Sequence, residues 1–126
     1  MRSVSEQENG QWQAIMPAEE LWIGEMLGVE VAGINVLLVN VDDQVHAFLD
    51  RCPHRASRLS EGELEGAKIT CPTHLWEFDA LSGRGINPES SRLVEFPCRI
   101  VDGMIQVCLP DPSRLPEPEA AEEGEI

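Results

Sequence analysis

Short runs of apolar and β-branched residues, separated by turn residues, dominate the chain from Gln11 to Leu109. Runs of this length and composition are typical of β-strands. Many short strands at close spacing predict an all-β fold, a small sandwich or barrel built from antiparallel sheets. The predicted strands are Trp12–Met16, Gly28–Ala32, Val36–Val41, Gln44–Phe48, Ala67–Cys71, Trp76–Asp79, Pro97–Val101 and Met104–Leu109.

Two dipeptides between these runs predict tight hairpins. Asp42-Asp43 and Asp102-Gly103 each separate two apolar runs, and the second is the stronger turn signal because glycine readily adopts a positive φ. A two-residue turn at Asp102-Gly103 would set Cys98 opposite Val107. One short helix is predicted over Pro17–Glu25, with two glutamates in its first turn.

The composition changes abruptly near the C-terminus. Four prolines fall within the nine residues from Pro110 to Pro118, and six acidic residues lie between Asp111 and Glu125 against one arginine. Such a segment has little apolar surface to bury. We therefore predict one domain over residues 1–110 and a disordered, acidic, proline-rich tail over residues 111–126.

Charge restricts the possible partners. The 126 residues include 23 acidic and 9 basic residues, which gives a formal net charge of −14. A chain of this charge repels nucleic acids and anionic membranes, so a basic protein surface is the expected partner. The N-terminus lacks the apolar stretch of a signal peptide, and the run Ile34–Val41 is too short to cross a bilayer. We expect a cytoplasmic protein, in which the four cysteines are metal ligands or buried thiols rather than disulfides.

Two similar motifs carry the candidate chemistry. The first motif is Cys52-Pro53-His54, and after sixteen intervening residues the second is Cys71-Pro72-Thr73-His74. Two loops with a thiol and an imidazole each can hold a single zinc ion, although one residue between paired ligands is unusual for zinc. They can also hold a [2Fe-2S] cluster, with Cys52 and Cys71 on one iron and His54 and His74 on the other, which is Rieske ligation.

These motifs resemble those of Rieske-type ferredoxins, and the resemblance extends to about Pro110. Within the family, further segments resemble the ferredoxin component of soluble diiron monooxygenases that act on toluene, alkenes or isoprene. These segments are Leu21–Met26, Leu59–Gly62, His74–Trp76 and Gly85–Pro88. The resemblance implies one [2Fe-2S] cluster bound by Cys52, His54, Cys71 and His74. It also implies an all-β Rieske fold of stacked antiparallel sheets, with a small inserted cluster-binding subdomain over about residues 50–78.

The implied function is that of an electron carrier and not of an enzyme. The chain would take one electron from an NADH-dependent flavin and iron-sulfur reductase and deliver it to a diiron hydroxylase. We expect a monomer that binds neither nucleic acid nor membrane. A ferredoxin component of a ring-hydroxylating dioxygenase system is the alternative carrier. An enzyme subunit or regulatory domain, in which the cluster is structural or senses redox state, is the alternative class.

Outside the two motifs, Cys98 and Cys108 are interpreted as structural residues, and Trp76 has two possible roles. Cys98 and Cys108 would lie on opposite faces of a hairpin, so they are interpreted as small hydrophobic residues that do not bond to each other. Trp76, two residues after His74, belongs either to the core or to a docking surface near the electron path.

Overall fold

The fold consists of short antiparallel strands. The computed structural model describes residues 10–53, 57–72, 76–87 and 89–115. Strands within these ranges are β1 (Gln11–Pro17), β2 (Met26–Val31), β3 (Ile34–Val41), β4 (Gln44–Leu49), β5 (Glu63–Glu65), β6 (Lys68–Thr70), β7 (Glu77–Asp79), β8 (Gly85–Asn87), β9 (Glu95–Phe96), β10 (Cys98–Val101) and β11 (Met104–Leu109). Single 3₁₀ turns lie at Ala18–Glu20, Leu59–Glu61 and Pro112–Arg114. No helix of the described residues is long and apolar enough to span a bilayer.

The strands form three sheets. The first has the order β1-β11-β10, the second β2-β3-β4-β9 and the third β5-β6-β7-β8. All strand pairs are antiparallel. The predicted all-β class with stacked antiparallel sheets is confirmed. The third sheet is inserted between β4 and β9 and continues beyond Phe78 to Asn87.

β3 explains how the sheets stack. Alternate side chains of this strand enter two different apolar clusters, so the strand is apolar on both faces. Leu37, Val39 and Val41 pack against the third sheet in the first cluster, together with Phe48 and Phe78. On the opposite face, Val36 and Leu38 join the second cluster with residues of the first sheet. The second sheet is therefore the middle layer.

The predicted hairpins are confirmed. Asp42 and Asp43 have φ values of 52° and 72°, and Asp102 and Gly103 have values of 52° and 81°. A positive φ at both central residues is the signature of the type I′ turn. Cys98 faces Val107 across the second hairpin, as the two-residue turn predicts.

The predicted helix over Pro17–Glu25 is wrong. Only the 3₁₀ turn at Ala18–Glu20 forms, and Leu21 follows it in an extended conformation with its side chain buried. Gly24 then takes a φ of 87°, and its N–H donates to the carbonyl of Asn40 at 2.7 Å. The backbone here bonds to the neighbouring strand, which is incompatible with a helical ladder.

The first residues of the predicted tail pack on the fold. A 3₁₀ turn spans Pro112–Arg114, and Asp111 caps it by accepting a hydrogen bond from the Ser113 N–H at 3.0 Å. Leu115 then packs, partly buried, against the second apolar cluster. The remainder of that prediction, residues 116–126, lies outside the described residues.

Candidate metal centre

Cys52 and Cys71 lie at corresponding places in two loops. Cys71 directly follows β6, and Cys52 follows β4 by three residues. Their exposed fractions are 1% and 0%. Each loop therefore begins with a thiol that the fold shields from solvent.

One backbone hydrogen bond closes each loop. The Cys52 N–H donates to the carbonyl of Ser57, and the Cys71 N–H donates to the carbonyl of Trp76, both at 2.8 Å. Each bond spans five residues, so the two loops have the same size. The other two predicted ligands, His54 and His74, are within these loops in sequence but lie outside the described residues.

A buried carboxylate anchors the first loop. The Asp50 N–H donates to the carbonyl of Asn35 at 2.8 Å. The Asp50 carboxylate accepts from the Ser60 N–H at 2.8 Å and from the Ser60 hydroxyl at 2.6 Å. Asp50 precedes the loop and Ser60 follows it, so these bonds hold both ends of the segment. Charge-assisted bonds of this kind are among the stronger ones in proteins.

Two glycines allow the close contacts around this anchor. A Cβ on Gly28 of β2 would lie against the carboxylate of Asp50 and the side chain of Ser60. A Cβ on Gly62 would collide with the carbonyl oxygen of Thr70 and lie 3.1 Å from Pro72 of the second loop. The segment after the first loop is thereby packed directly on the start of the second.

The sequence interpretation missed this anchor. Nothing in the sequence connects Asp50 with Ser60, which is ten residues away. Gly62 has a φ of −89°, so the close approach of the Thr70 carbonyl, and not a positive φ, requires glycine there.

The two thiols have the environment that a thiolate-binding metal group needs. Both belong to the first apolar cluster, with Leu59, Ile69 and Phe78. None of the four cysteines forms a disulfide. Among the described residues, no group of three or more His, Cys, Asp or Glu side chains is placed to hold a metal ion. The structure describes two of the four predicted ligands, Cys52 and Cys71. As buried thiols that begin two similar loops, they fit a metal group that binds thiolates.

Trp76 packs on the core, as the first of its two interpretations predicts, and its role in docking stays a prediction. Its ring is partly buried and packs against the first cluster. Its centroid lies 6.4 Å from that of Phe78, with 48° between the ring planes. The Trp76 carbonyl accepts the hydrogen bond from the Cys71 N–H that closes the second loop, so the Trp76 backbone also fixes that loop.

Cys98 and Cys108 lie outside the centre. Cys98 packs, partly buried, against the second apolar cluster, and burial raises the pKa of its thiol to about 11. Cys108 is buried on the neighbouring strand β11, where its N–H donates to the carbonyl of Pro97 at 2.9 Å. Both positions agree with the interpretation of these residues as small hydrophobic side chains.

Comparison with known proteins gives a consistent result. The family model of the Rieske [2Fe-2S] domain matches residues 11–97. The alkene monooxygenase system ferredoxin component of Xanthobacter autotrophicus is 34% identical over 82% of this chain and 85% of that protein. The naphthalene 1,2-dioxygenase system ferredoxin component of Pseudomonas aeruginosa is 32% identical over 78% of this chain and 95% of its own length.

A solved structure shares the fold. It is a chain of the complex of reduced oxygenase and oxidized ferredoxin in carbazole 1,9a-dioxygenase. The TM-score is 0.73 with 29% identity, over 79% of this chain and 94% of that one.

Proposed function

The chain belongs to the Rieske [2Fe-2S] domain family, and from this premise we propose that it carries single electrons from an NADH-dependent reductase to the diiron hydroxylase of a hydrocarbon monooxygenase. It holds one Rieske-type [2Fe-2S] cluster. It is an electron carrier and not an enzyme, because its relatives over most of the chain are named ferredoxin components of oxygenase systems.

The proposed ligands are Cys52 and Cys71 on one iron and His54 and His74 on the other. The observation that carries this assignment is the pair of buried thiols at the head of two equally closed loops. When bound, such a cluster accepts and returns one electron. The chain's own residues shield the thiolates from water through Leu59, Ile69 and Phe78.

Backbone and side-chain contacts hold each of the two loops in place. The Cys52–Ser57 bond and the Asp50–Ser60 bonds fix the first loop, and the Cys71–Trp76 bond fixes the second. The close contact of Gly62 with Thr70 and Pro72 packs the segment after the first loop on the start of the second. A site that changes little in geometry between its two charge states needs little reorganisation when an electron moves. This rigidity suits a carrier.

A second carrier function has its own support. The naphthalene 1,2-dioxygenase ferredoxin component is nearly as similar as the alkene monooxygenase one, and the carbazole 1,9a-dioxygenase complex shares the fold. Delivery to a ring-hydroxylating dioxygenase is therefore the alternative. The monooxygenase assignment rests on the four family-like segments of the sequence, of which Leu59–Gly62 forms the turn that packs on the second loop.

Stopped-flow spectroscopy distinguishes the two partners. The chemically reduced, cluster-loaded chain is mixed with the hydroxylase of an alkene monooxygenase and, separately, with the oxygenase of a naphthalene dioxygenase. We expect fast reoxidation of the cluster by the hydroxylase. Fast reoxidation by the dioxygenase alone would replace our assignment with the alternative.

A protein that cannot accept an electron from the cluster is the control for this assay. Reoxidation of the same reduced chain in buffer that contains albumin measures the background rate. Reoxidation at that rate with both oxygenases would contradict both carrier functions.

A further inference from the structure

The strongest unassigned feature is an apolar tip between β1 and β2. Trp22 and Ile23 are adjacent and have exposed fractions of 70% and 63%, and Leu27 on β2 is exposed to 39%. We call residues 21–25 the Trp22 turn. Single exposed apolar residues are ordinary on a protein surface, but neighbouring large ones commonly mark a contact surface. Neither Trp22 nor Ile23 contributes to the two apolar clusters that hold the fold together.

The Trp22 turn is held in place by the second sheet. The Trp22 N–H donates to Glu25 Oε1 at 2.7 Å, and the Glu25 N–H donates to the Trp22 carbonyl at 3.0 Å. Asn40 of β3 exchanges backbone hydrogen bonds with Gly24 and Glu25. Its side-chain amide also donates to the carbonyl of Leu21 at 2.8 Å. A tip that is already ordered loses little conformational entropy when it binds.

The charged residues that flank this tip along the chain are all acidic. Glu19 and Glu20 precede it and are exposed, and Asp42 and Asp43 lie on the exposed hairpin that follows Asn40. No lysine or arginine occurs anywhere from Ser3 to Asp50. The apolar tip is therefore flanked by negative charge, which no basic side chain between Ser3 and Asp50 offsets.

The Trp22 turn bonds to β3 at a different position from the segment that leads to Cys52. Its bonds to β3 are made at Asn40, whereas the segment leading to Cys52 is bonded to β3 at Asn35. Five residues of strand separate these positions by about 17 Å along β3. The Trp22 turn thus meets β3 near the opposite end from the segment that leads to Cys52.

From these observations we propose that the Trp22 turn is a protein-docking surface whose partner presents an apolar pocket surrounded by lysine and arginine. Trp22 would fill the pocket, and the flanking carboxylates would meet the basic rim. Tryptophan is enriched among the residues that dominate binding energy, and complementary rim charges mainly raise the association rate. A second copy of this chain fits poorly, because it would bring the same carboxylates together, and an anionic membrane is repelled for the same reason.

The test measures binding separately from electron transfer, because the choice of probes rests on the proposed function. The cluster-loaded chain is immobilised, and three probes are passed over it: the NADH-dependent reductase and hydroxylase of an alkene monooxygenase and the oxygenase of a naphthalene dioxygenase. The double variant Trp22→Ala/Ile23→Ala is compared with Ile100→Ala/Val101→Ala. The control removes two apolar side chains of the edge strand β10 that are exposed to 49% and 39%.

We expect the first double variant to weaken the affinity for at least one probe by about tenfold or more, which is the range of a tryptophan that dominates an interface. The control is expected to change affinity less than about twofold. Glu19→Gln/Glu20→Gln should lower the association rate, whereas Glu30→Gln/Glu95→Gln, which changes exposed acids elsewhere, should lower it less.

Several outcomes would overturn the proposal. They are unchanged affinity of the Trp22 variant for every probe, equal losses in variant and control, no binding of the wild-type chain to any probe, and a monomer–dimer change on ultracentrifugation that depends on Trp22. If the Trp22 variant loses affinity while neither oxygenase reoxidises the cluster, the docking surface stands and the proposed electron acceptors are wrong.

Discussion

The four cysteines occupy two kinds of position. Cys52 and Cys71 head closed loops in the first apolar cluster, whereas Cys98 and Cys108 lie on the paired strands β10 and β11. The sequence could separate these pairs, because a histidine follows closely after each of the first two and after neither of the others. It could not show how the loops are anchored, since Asp50, Ser60 and Gly28 meet only through the tertiary fold.

The protonation of Cys98 gives a prediction at the residue scale. Burial disfavours the charged thiolate and raises the pKa of Cys98 from 9.0 to about 11. At pH 8 the thiolate fraction is therefore about 100-fold lower than that of an ordinary cysteine. We expect slow alkylation of Cys98 by iodoacetamide at pH 8 and a rate that rises as the pH approaches 11, measured by mass spectrometry of the folded chain.

The urea-unfolded chain is the control, in which Cys98 should react at the ordinary rate. The pKa of Cys98 is higher in the folded chain than in the unfolded chain, so its contribution to the free energy of unfolding is fully present below pH 9. That contribution is lost as the pH rises from 9 to about 11. Equal alkylation rates for folded and unfolded chains at pH 8 would contradict the burial of Cys98.

At the scale of elements, the strands with strong local signals were predictable. β3 is a long apolar run and β11 ends in one. A turn dipeptide adjoins each strand, Asp42-Asp43 after β3 and Asp102-Gly103 before β11, and such a turn fixes the register of a hairpin as well as its existence. β5, β8 and β9 were missed, because they contain only two or three residues and mix charged, small and apolar side chains. Pairing with neighbouring strands, and not intrinsic propensity, forms such strands.

The contact between the two loops gives a prediction at this scale. Gly62→Ala introduces a methyl group against the Thr70 carbonyl and next to Pro72, where no flexible side chain can yield. We expect the free energy of unfolding to fall by about 1–3 kcal/mol, with faster loss of cluster absorbance on heating.

A second glycine of the third sheet is a matched control. Gly66 has a φ of 62° and no atom within 4 Å of its missing Cβ, and asparagine tolerates this conformation. Gly66→Asn should therefore change stability by less than about 1 kcal/mol. The close contact at Gly62 would be refuted if both variants unfolded alike.

At the scale of the whole molecule, charge is unevenly distributed along the chain. Eight of the nine basic residues lie in the stretch from Arg51 to Arg114. The stretch from Ser3 to Asp50 contains acidic residues but no lysine or arginine. The stretch from Ser3 to Asp50, which contains the Trp22 turn, is thus strongly negative, and the stretch from Arg51 to Arg114, which contains the two loops, is mixed. A carrier of net charge −14 should approach basic surfaces of its partners.

Electrostatic approach predicts a dependence on salt. The screening length falls to about 8 Å at physiological ionic strength, so the second-order rate of reoxidation by the oxygenase should fall as salt rises. The absorption spectrum of the cluster should not change over the same range. The measurement is stopped-flow mixing at low protein concentration, and a rate independent of salt would mean that charge does not guide the encounter.

The central claim is that Cys52, His54, Cys71 and His74 together hold a one-electron cluster. Its most direct test is pulsed electron paramagnetic resonance of the reduced chain, grown with and without ¹⁵N-labelled histidine. The account predicts a signal whose average g value lies below that of the free electron, with couplings to two histidine nitrogens. Both couplings should persist in Cys98→Ser, whereas Cys52→Ser should not assemble the normal cluster. A colourless protein that holds zinc, or a reduced cluster without histidine coupling, would contradict the account.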